Sequence, residues 1–501
     1  MQVLNMGLSK GLPYFFNRER IPFYNEELKK TISTAQNLVW YDLESIAKML
    51  FPVITPFRNK IPRVSGDGGK ATNWKAITGI NTTRISAGLS EGKRNAALNL
   101  STKDYTRKYK GLGYDSYVTW EADYAAKNFD DVKQRNYEST LSSLMIAEER
   151  VILGGNGDRL LGTTPTPSLV PLGTGGVLIN GTTYYVGCVA LTLEGDYFAT
   201  VASGIYQAIS RTSITGNVDT FGGGSAAKSA AASIATPAGP DTCSIEASVT
   251  SVRGATSYAW YIGTAAGAMY LTKITTVNKY TFTGEEVPGT QLFSDLDAND
   301  HSTNEYVFDG LLTQISETDS GSYVHSLDGA TLTSDGAGGI VEIDDAFEWF
   351  WDNFRLSPSI IWGSGRTIKD IQRKTIAAGG APLLRYNMDV AGGKSIENMN
   401  ITSGAIVGFL TNIFAKSGGQ IVKLEIHPDI PNGVLLFECE GALFNYPYLK
   451  VANLMQMKLR RDYHAIDWPW RERQFEYGIY MDGLLQNYFL PAFGVLQNIG
   501  Y

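Results

Sequence analysis

Residues 130–155, DDVKQRNYESTLSSLMIAEERVILGG, decide how the rest of the chain is read. Val132, Tyr137, Leu141, Leu144, Met145, Glu148, Val151 and Ile152 recur at three- and four-residue steps and are mostly apolar. That spacing lays one apolar stripe along one face of a helix. Asp130 and Asp131 can cap the first free amides, and acids suit the positive end of the helix dipole. Gly154 and Gly155 predict a left-handed stop. At 1.5 Å per residue, a helix of about 23 residues spans roughly 35 Å. So long a helix with so narrow a stripe suits an element laid across a flat domain. Taken alone, the stretch is an ordinary surface helix of a large enzyme.

The bulk numbers narrow the class. The chain has 501 residues, enough for two to four domains. Apolar residues make up 43% and charged residues 19%, which predicts a globular chain. A net charge of −7 argues against a general nucleic-acid binder. Cys188, Cys243 and Cys439 are odd in number and far apart, which predicts no disulfide framework and fits synthesis in a reducing compartment. The first residues, MQVLNMGLSKGLPYFF, lack a signal-peptide pattern, and no run of 18 apolar residues predicts a membrane span. Abundant Gly and 27 Tyr favour strands, turns and large buried interfaces.

Toward the N-terminus the chain changes sign. Residues 1–37 read as an extended arm with a short helix, and NLVWYDLESIAKML (38–51) as an amphipathic helix. Pro52, Pro56 and Pro62 then force an extended path. Residues 58–113 carry twelve basic and three acidic side chains, a net +9, so the remainder sums to −16. The alternation in TRISAGL and AALNLSTKDYTRKYK predicts a long two-stranded hairpin with a soft tip. A two-stranded ribbon is marginal by itself and needs a surface to lie on. Its charge says that the surface is acidic, and a second copy of the chain could supply it. A nucleic-acid-binding ribbon is the competing reading; it is disfavoured because Trp74 is the one Trp of the segment.

Toward the C-terminus, residues 172–290 become poor in Lys and Arg and rich in short alternating runs: TTYYVGCVALTLEG, TCSIEASVTSV, TSYAWYIGT, MYLTKITTV and KYTFTG. GGGSAAKSAAASIATPAGP between them reads as a flexible link. TSYAWYIGT resembles a central strand of an immunoglobulin-like sandwich with Trp260 between the sheets, but both Cys188 and Cys243 precede Trp260. An inserted all-β domain is therefore expected. Beyond it, IDDAFEWFWDNF predicts a helix with Phe347, Phe350, Trp351 and Phe354 on one face. SPSIIWGS predicts a buried strand, and RTIKDIQRK another helix. AIVGFLTNIF, IVKLEIHP and GVLLFECEG are mixed strands, and the aromatic C-terminal stretch from residue 454 reads as strands packed on the long helix.

Catalytic and cofactor motifs do not assemble. GDGGKAT (66–72) fails as a phosphate loop: Val64 stands where a Gly is needed and Ala71 where a Ser or Thr would hold magnesium. DLDANDH (295–301) begins like a calcium loop, but Asp300 replaces the turn Gly and Tyr306 the bidentate Glu. His301, His325, His427 and His464 are scattered, with no HExxH and no GxSxG. Glu148, Glu149 and Arg150 look faintly catalytic but read better as contact charges along the helix. The expectation is no enzyme, no cofactor and no metal.

The order of parts carries a resemblance. A basic hairpin precedes a long helix ending AEERVILGGNG, an exit turn GDRLLGTTP follows, then IDDAFEWFWDNF, SPSIIWGSGRTIKDIQRK and the ending YGIYMDGLLQNYFLPAFGVL. This order resembles the major capsid protein of tailed bacteriophages, the Hong Kong-type shell fold, over roughly residues 38–165 and 300–501. The resemblance implies an α+β fold. Its parts would be an N-terminal arm (1–57), an E-loop (58–115), a peripheral domain (116–165 and 384–501, with spine helix 130–154) and an axial domain (166–171 and 291–383), with the β-domain (172–290) as an insertion. It implies a virion protein, assembled in the host cytoplasm as pentamers and hexamers of an icosahedral-type head around double-stranded DNA. Implied partners are copies of itself, a separate scaffold protein, a portal, accessory or decoration proteins and non-specifically packaged DNA. The scaffold is implied because only about 37 residues precede the arm helix. Inter-subunit contacts are expected from Lys70, Lys75, Lys93, Arg94, Lys103, Arg107, Glu148, Glu149 and Arg150. Some relatives cross-link an E-loop Lys, for which Lys70, Lys75 and Lys93 qualify by position. A nanocompartment shell protein shares the fold. An adhesin or carbohydrate-binding protein is the alternative from another class, and it would need a secretion signal.

Overall fold

A computed structural model describes residues 51–80, 88–95, 100–127, 130–336, 339–377, 409–416, 418–446 and 449–500. The expected arm up to residue 50, with its helix, lies outside the described residues, as do Arg84 and residues 378–408.

The long helix runs Val132–Gly154, and the Asp131 carboxylate caps it by accepting the Gln134 N–H at 3.0 Å. It packs on a four-stranded sheet ordered Arg63–Ser65, Met455–Asp467, Gln474–Asn487, Lys110–Thr119. Asn136 joins helix to sheet, donating to Ser116 Oγ at 2.8 Å and to the Tyr117 carbonyl at 3.1 Å. The expected C-terminal strands on the long helix are thus present. The basic hairpin is also present: Ala71–Ile80 pairs antiparallel with Leu100–Lys108, from Ala71 opposite Lys108 to Ile80 opposite Leu100. After Lys108 the chain runs almost directly into strand Lys110–Thr119, so the ribbon grows from the edge of the four-stranded sheet.

The second sheet has six strands, ordered Tyr323–Ser326, Phe493–Gln497, Leu435–Glu438, Ile360–Gly363, Gln420–Ile426, Phe409–Asn412. Helices Val341–Phe354 and Gly365–Ala377 belong to this part. Val341–Phe354 buries Ile343, Ala346, Phe347 and Phe350, close to the face expected. The domain division expected from sequence is moved here. Strands at 409–438 and 493–497 join the sheet of Ile360–Gly363, which itself pairs with Gln420–Ile426 and Leu435–Glu438, instead of returning to the four-stranded sheet. The reason is that one continuous apolar core joins both sheets: Leu144 and Ile152 of the long helix, Met457 and Ile479 of the first sheet, and Phe347, Ile361, Phe437 and Leu496 of the second share it.

The all-β insertion is a sandwich. One sheet is ordered Lys279–Phe282, Ser244–Ser248, Ser168–Leu172; the other Tyr270–Thr275, Ser257–Gly263, Thr183–Leu191, Ala232–Ala235. Trp260 is fully buried, lies edge-on to Phe282 at 6.4 Å and donates from Nε1 to Thr275 Oγ1 at 2.8 Å. The immunoglobulin-like expectation is nevertheless corrected. Counted along the chain the sheets run seven-four-one and six-five-two-three, whereas an immunoglobulin sandwich pairs A-B-E-D and C-F-G. A core Trp identifies packed sheets, not their connectivity. Strand Ser257–Gly263 reads as continuously apolar because its second face is covered too, with Tyr261 5.2 Å from Phe293. The expected flexible link is also corrected. Ser225, Ala226 and Ala227 are buried, and the Ala226 N–H donates to the Ala190 carbonyl at 2.9 Å, since small side chains let this backbone lie against a strand.

The insertion leaves the long helix at its C-terminus and returns beside it. The Gly310 N–H donates to the Gly155 carbonyl and the Asn304 N–H to the Asn156 carbonyl, both at 2.8 Å. The Gly157 N–H donates to Asp309 Oδ1 at 2.9 Å. The neck is therefore built from 156–159 and 300–310, and strand Ser168–Leu172 belongs to the sandwich, not to an axial piece. Gly155 does not adopt the expected left-handed conformation; its φ is −57°. Its requirement for Gly is steric instead, because a Cβ there would sit 2.5 Å from the Phe308 carbonyl oxygen and 2.9 Å from that of Val151.

Candidate inter-subunit surface

Glu148 and Glu149, expected as contact charges, are fully buried. Glu149 Oε1 accepts the Phe57 N–H at 2.8 Å and His427 Nε2 at 2.7 Å, and Oε2 accepts the Arg58 N–H at 2.7 Å. His427 Nδ1 accepts the Asp429 N–H at 3.1 Å, so the ring proton lies on Nε2, facing Glu149. This carboxylate anchors the start of the short helix Pro56–Lys60, whose Phe57 ring packs 4.8 Å from Trp362 and 4.9 Å from His427. Glu148 binds Arg63 Nη1 at 2.7 Å, lies 3.5 Å from Arg58 Nε and accepts the Tyr463 hydroxyl. Both guanidiniums lie over the Tyr463 ring, at 5.2 Å for Arg58 and 4.7 Å for Arg63. Burial, reinforced by the Glu148 charge, pushes the Tyr463 phenol up to about 12. Burial works against the Arg63 charge, but Asp462 and Glu148 outweigh it and hold that guanidinium charged. Arg150 is engaged as well, with Asp429 at 3.2 Å and the Tyr197 ring at 4.0 Å. Arg150 stays partly exposed, whereas Glu148 and Glu149, expected as contact charges, are internal to the chain. They tie residues 57–63 to the long helix and to the two sheets.

The basic hairpin divides into a seated base and an unpaired outer part. At the base, Arg107 Nη2 bonds Glu317 at 2.6 Å, Lys108 bonds Asp158 at 3.0 Å and Lys103 approaches Asp319 at 3.4 Å. Lys110 donates to the Glu305 carbonyl. The acidic seat expected from a second copy is provided at the base by the chain itself, and Arg107 and Lys103 are engaged there. Trp74 stacks on Tyr105 at 5.5 Å and meets Tyr488 edge-on at 5.8 Å. Lys70, beside Ala71 at the base, is exposed, and exposed Lys75 reaches Asp104 across the ribbon at 3.5 Å; farther out, Lys93 and Arg94 are exposed, and neither they nor Lys70 has an ion pair among the described residues. Ile77, Leu89 and Leu100 are 63%, 64% and 58% exposed there. A second exposed aromatic group closes the turn between the two long C-terminal strands, where Trp470 meets Trp120 at 5.5 Å and Phe475 at 5.8 Å.

Other sequence candidates resolve into structural roles. Asp297 receives the Asn299 N–H and His301, and Asp300 receives the Ser302 and Gly162 amides, so the DLDANDH carboxylates hold their own loop and the neck. Among the described residues no group of three His, Cys, Asp or Glu side chains could hold a metal ion, and no helix is long and apolar enough to cross a membrane. The burial of Glu148 had a signal in the sequence: it occupies a position in the apolar stripe, between Leu144 and Ile152.

No family model matches this chain, and no curated protein matches it. Among solved structures it is similar to the capsid of a native GTA particle, at 8% identity and a TM-score of 0.40, covering 93% of this chain and 96% of that one. It is similar to the capsid of Myoviridae phage XM1 at 8% identity and a TM-score of 0.40, covering 93% and 100%. It is also similar to the holo-SrpI encapsulin complex from Synechococcus elongatus, at 8% identity and a TM-score of 0.39, covering 92% and 93%.

Proposed function

We propose that this chain is a shell subunit, the major capsid protein of a tailed bacteriophage, whose copies close into a head of pentamers and hexamers around double-stranded DNA. The observation that carries the proposal is the hairpin. Its base is fixed on its own chain by Arg107 and Lys108, while its outer part presents Ile77, Leu89, Leu100, Lys93 and Arg94 without cover. A two-stranded ribbon with large exposed apolar side chains gains stability when another surface covers it. With +9 on residues 58–113 and −16 on the rest of the chain, another copy supplies an attractive surface. Repeated heterologous contacts of this kind close by symmetry into rings and shells.

In this reading the hairpin is the E-loop, Val132–Gly154 the spine helix, the four-stranded sheet the peripheral part and the six-stranded sheet the axial part. The sandwich lies outside that minimal set and is available to accessory proteins; scaffold and portal proteins would guide assembly. The protein's role is mechanical, and its residues carry out no chemical step. The test is the double variant Lys93→Glu, Arg94→Glu. Both residues lie away from the seated base, so the subunit should fold with wild-type unfolding behaviour and fail to form closed particles by electron microscopy. Normal particles from this variant would remove the hairpin's steering role. Particles from the wild-type chain that contain protein cargo and no DNA would favour the nanocompartment reading.

A further inference from the structure

The hairpin is held by side chains that answer to the sandwich. Arg107 and Lys103 bind Glu317 and Asp319, in the turn that follows helix Leu311–Ile315. That turn is gripped from the other side by Arg253 of the sandwich, which lies between strands Ser244–Ser248 and Ser257–Gly263. Arg253 Nε donates to the Ser316 carbonyl at 2.9 Å, and Nη2 to the Glu317 carbonyl at 3.0 Å and to Ser320 Oγ at 3.5 Å. Arg159 of the neck donates to the Arg253 carbonyl at 3.3 Å. Lys108 meets the same neck at Asp158. The four-stranded sheet also holds the root of the ribbon, which continues directly into Lys110–Thr119: the Gly66 N–H donates to the Leu459 carbonyl at 2.6 Å, Arg460 lies over the Tyr109 ring at 5.3 Å and reaches the Gly69 carbonyl at 3.4 Å, and Trp74 meets Tyr488 edge-on.

We infer that the inserted sandwich is a brace that sets the hairpin's angle, with Arg253 as the positioning residue acting through the 316–320 turn. The geometry is that of a relay. Arg253 makes no hydrogen bond or ion pair to a described hairpin residue, yet it fixes the backbone that carries Glu317 and Asp319. The Arg107–Glu317 pair is partly shielded from solvent, with side chains 14% and 28% exposed, so salt screens it less than the exposed Lys108–Asp158 pair. A molecule that binds the sandwich and shifts Arg253 would change the freedom of the ribbon. This coupling is a property of the single chain and holds whether or not the chain forms shells.

Amide hydrogen exchange on the full-length chain tests it, with sedimentation confirming that wild type and variants are compared in the same oligomeric state. In Arg253→Ala and in Glu317→Gln, amides of Ala71–Ile80 and Leu100–Lys108 should exchange about tenfold faster, the change expected for loss of one charge-assisted hydrogen bond. Lys75→Ala, which removes a pair internal to the ribbon, should leave them near the wild-type rate. Strand Ser257–Gly263 should stay protected throughout. Wild-type exchange of the hairpin in Glu317→Gln, or faster exchange confined to the 316–320 turn in Arg253→Ala, would overturn the brace. Should Arg253→Ala loosen the sandwich itself, Glu317→Gln decides, since it lies outside the sandwich strands.

Discussion

Replacing Glu149 by Gln tests whether this carboxylate is an internal anchor or a contact charge. Two buried donors converge on Oε1, from Phe57 and His427, and a partly buried one on Oε2, from Arg58, all at 2.7–2.8 Å. A Gln keeps its oxygen toward the pair and turns its NH2 toward the Arg58 N–H, so a donor faces a donor. An orphaned buried N–H costs about 1–3 kcal/mol, and each of the two remaining bonds drops by about 1 kcal/mol as its acceptor loses its charge. The sum is about 3–5 kcal/mol. Denaturant unfolding of the full-length chain, compared with Glu138→Gln on the exposed side of the same helix, measures it. The control should change stability by no more than about 0.5 kcal/mol. A Glu149→Gln midpoint equal to that of the control would refute the anchor. Wild-type unfolding combined with failed assembly would restore Glu149 as a contact residue.

Two further outcomes follow from burial elsewhere. Burial pushes Glu194 up to about 7, against the opposing bond from Asn304 Nδ2 at 2.7 Å. Its folded state therefore favours the neutral acid: the stabilisation is full below about pH 4.5 and is lost as pH rises through 7. Glu194→Gln keeps the acceptor for Asn304 and should gain roughly 3 kcal/mol at pH 8 and almost nothing at pH 4, read from unfolding at both pH values; equal effects at the two would contradict this. Trp260→Ala should cost the sandwich about 3–5 kcal/mol. Because the sandwich core is separate from the core joining the other two sheets, exchange should rise in Ser257–Gly263 and stay unchanged in Gln474–Asn487. Equal loosening of both would show that the cores are not independent.

Local pattern made some of this molecule legible and distance hid the rest. The long helix was visible because its stripe and its Asp131 cap are local, and the structure places it at Val132–Gly154. The hairpin was visible in its charge and alternation. The fate of Glu149 was hidden because its partners lie 92 residues before it and 278 after it. The six-stranded sheet was hidden for the same reason: its strands come from 323–326, 360–363, 409–438 and 493–497, and local alternation says nothing about pairing order. The base of the ribbon shows how far composition reaches. Net charge correctly demanded an acidic seat, but it could not say that Glu317 and Asp158 of the same chain provide it.

In the proposed function, copies of this chain tile a closed shell through the outer part of the hairpin. Cryo-electron microscopy of particles formed by the full-length chain tests it most directly. The expected result is closed polyhedral shells in which the ribbon beyond its base lies on a neighbouring copy, with Ile77, Leu89 and Leu100 covered. Shells in which that ribbon touches no neighbour, or a chain that stays a monomer under assembly conditions, would contradict it.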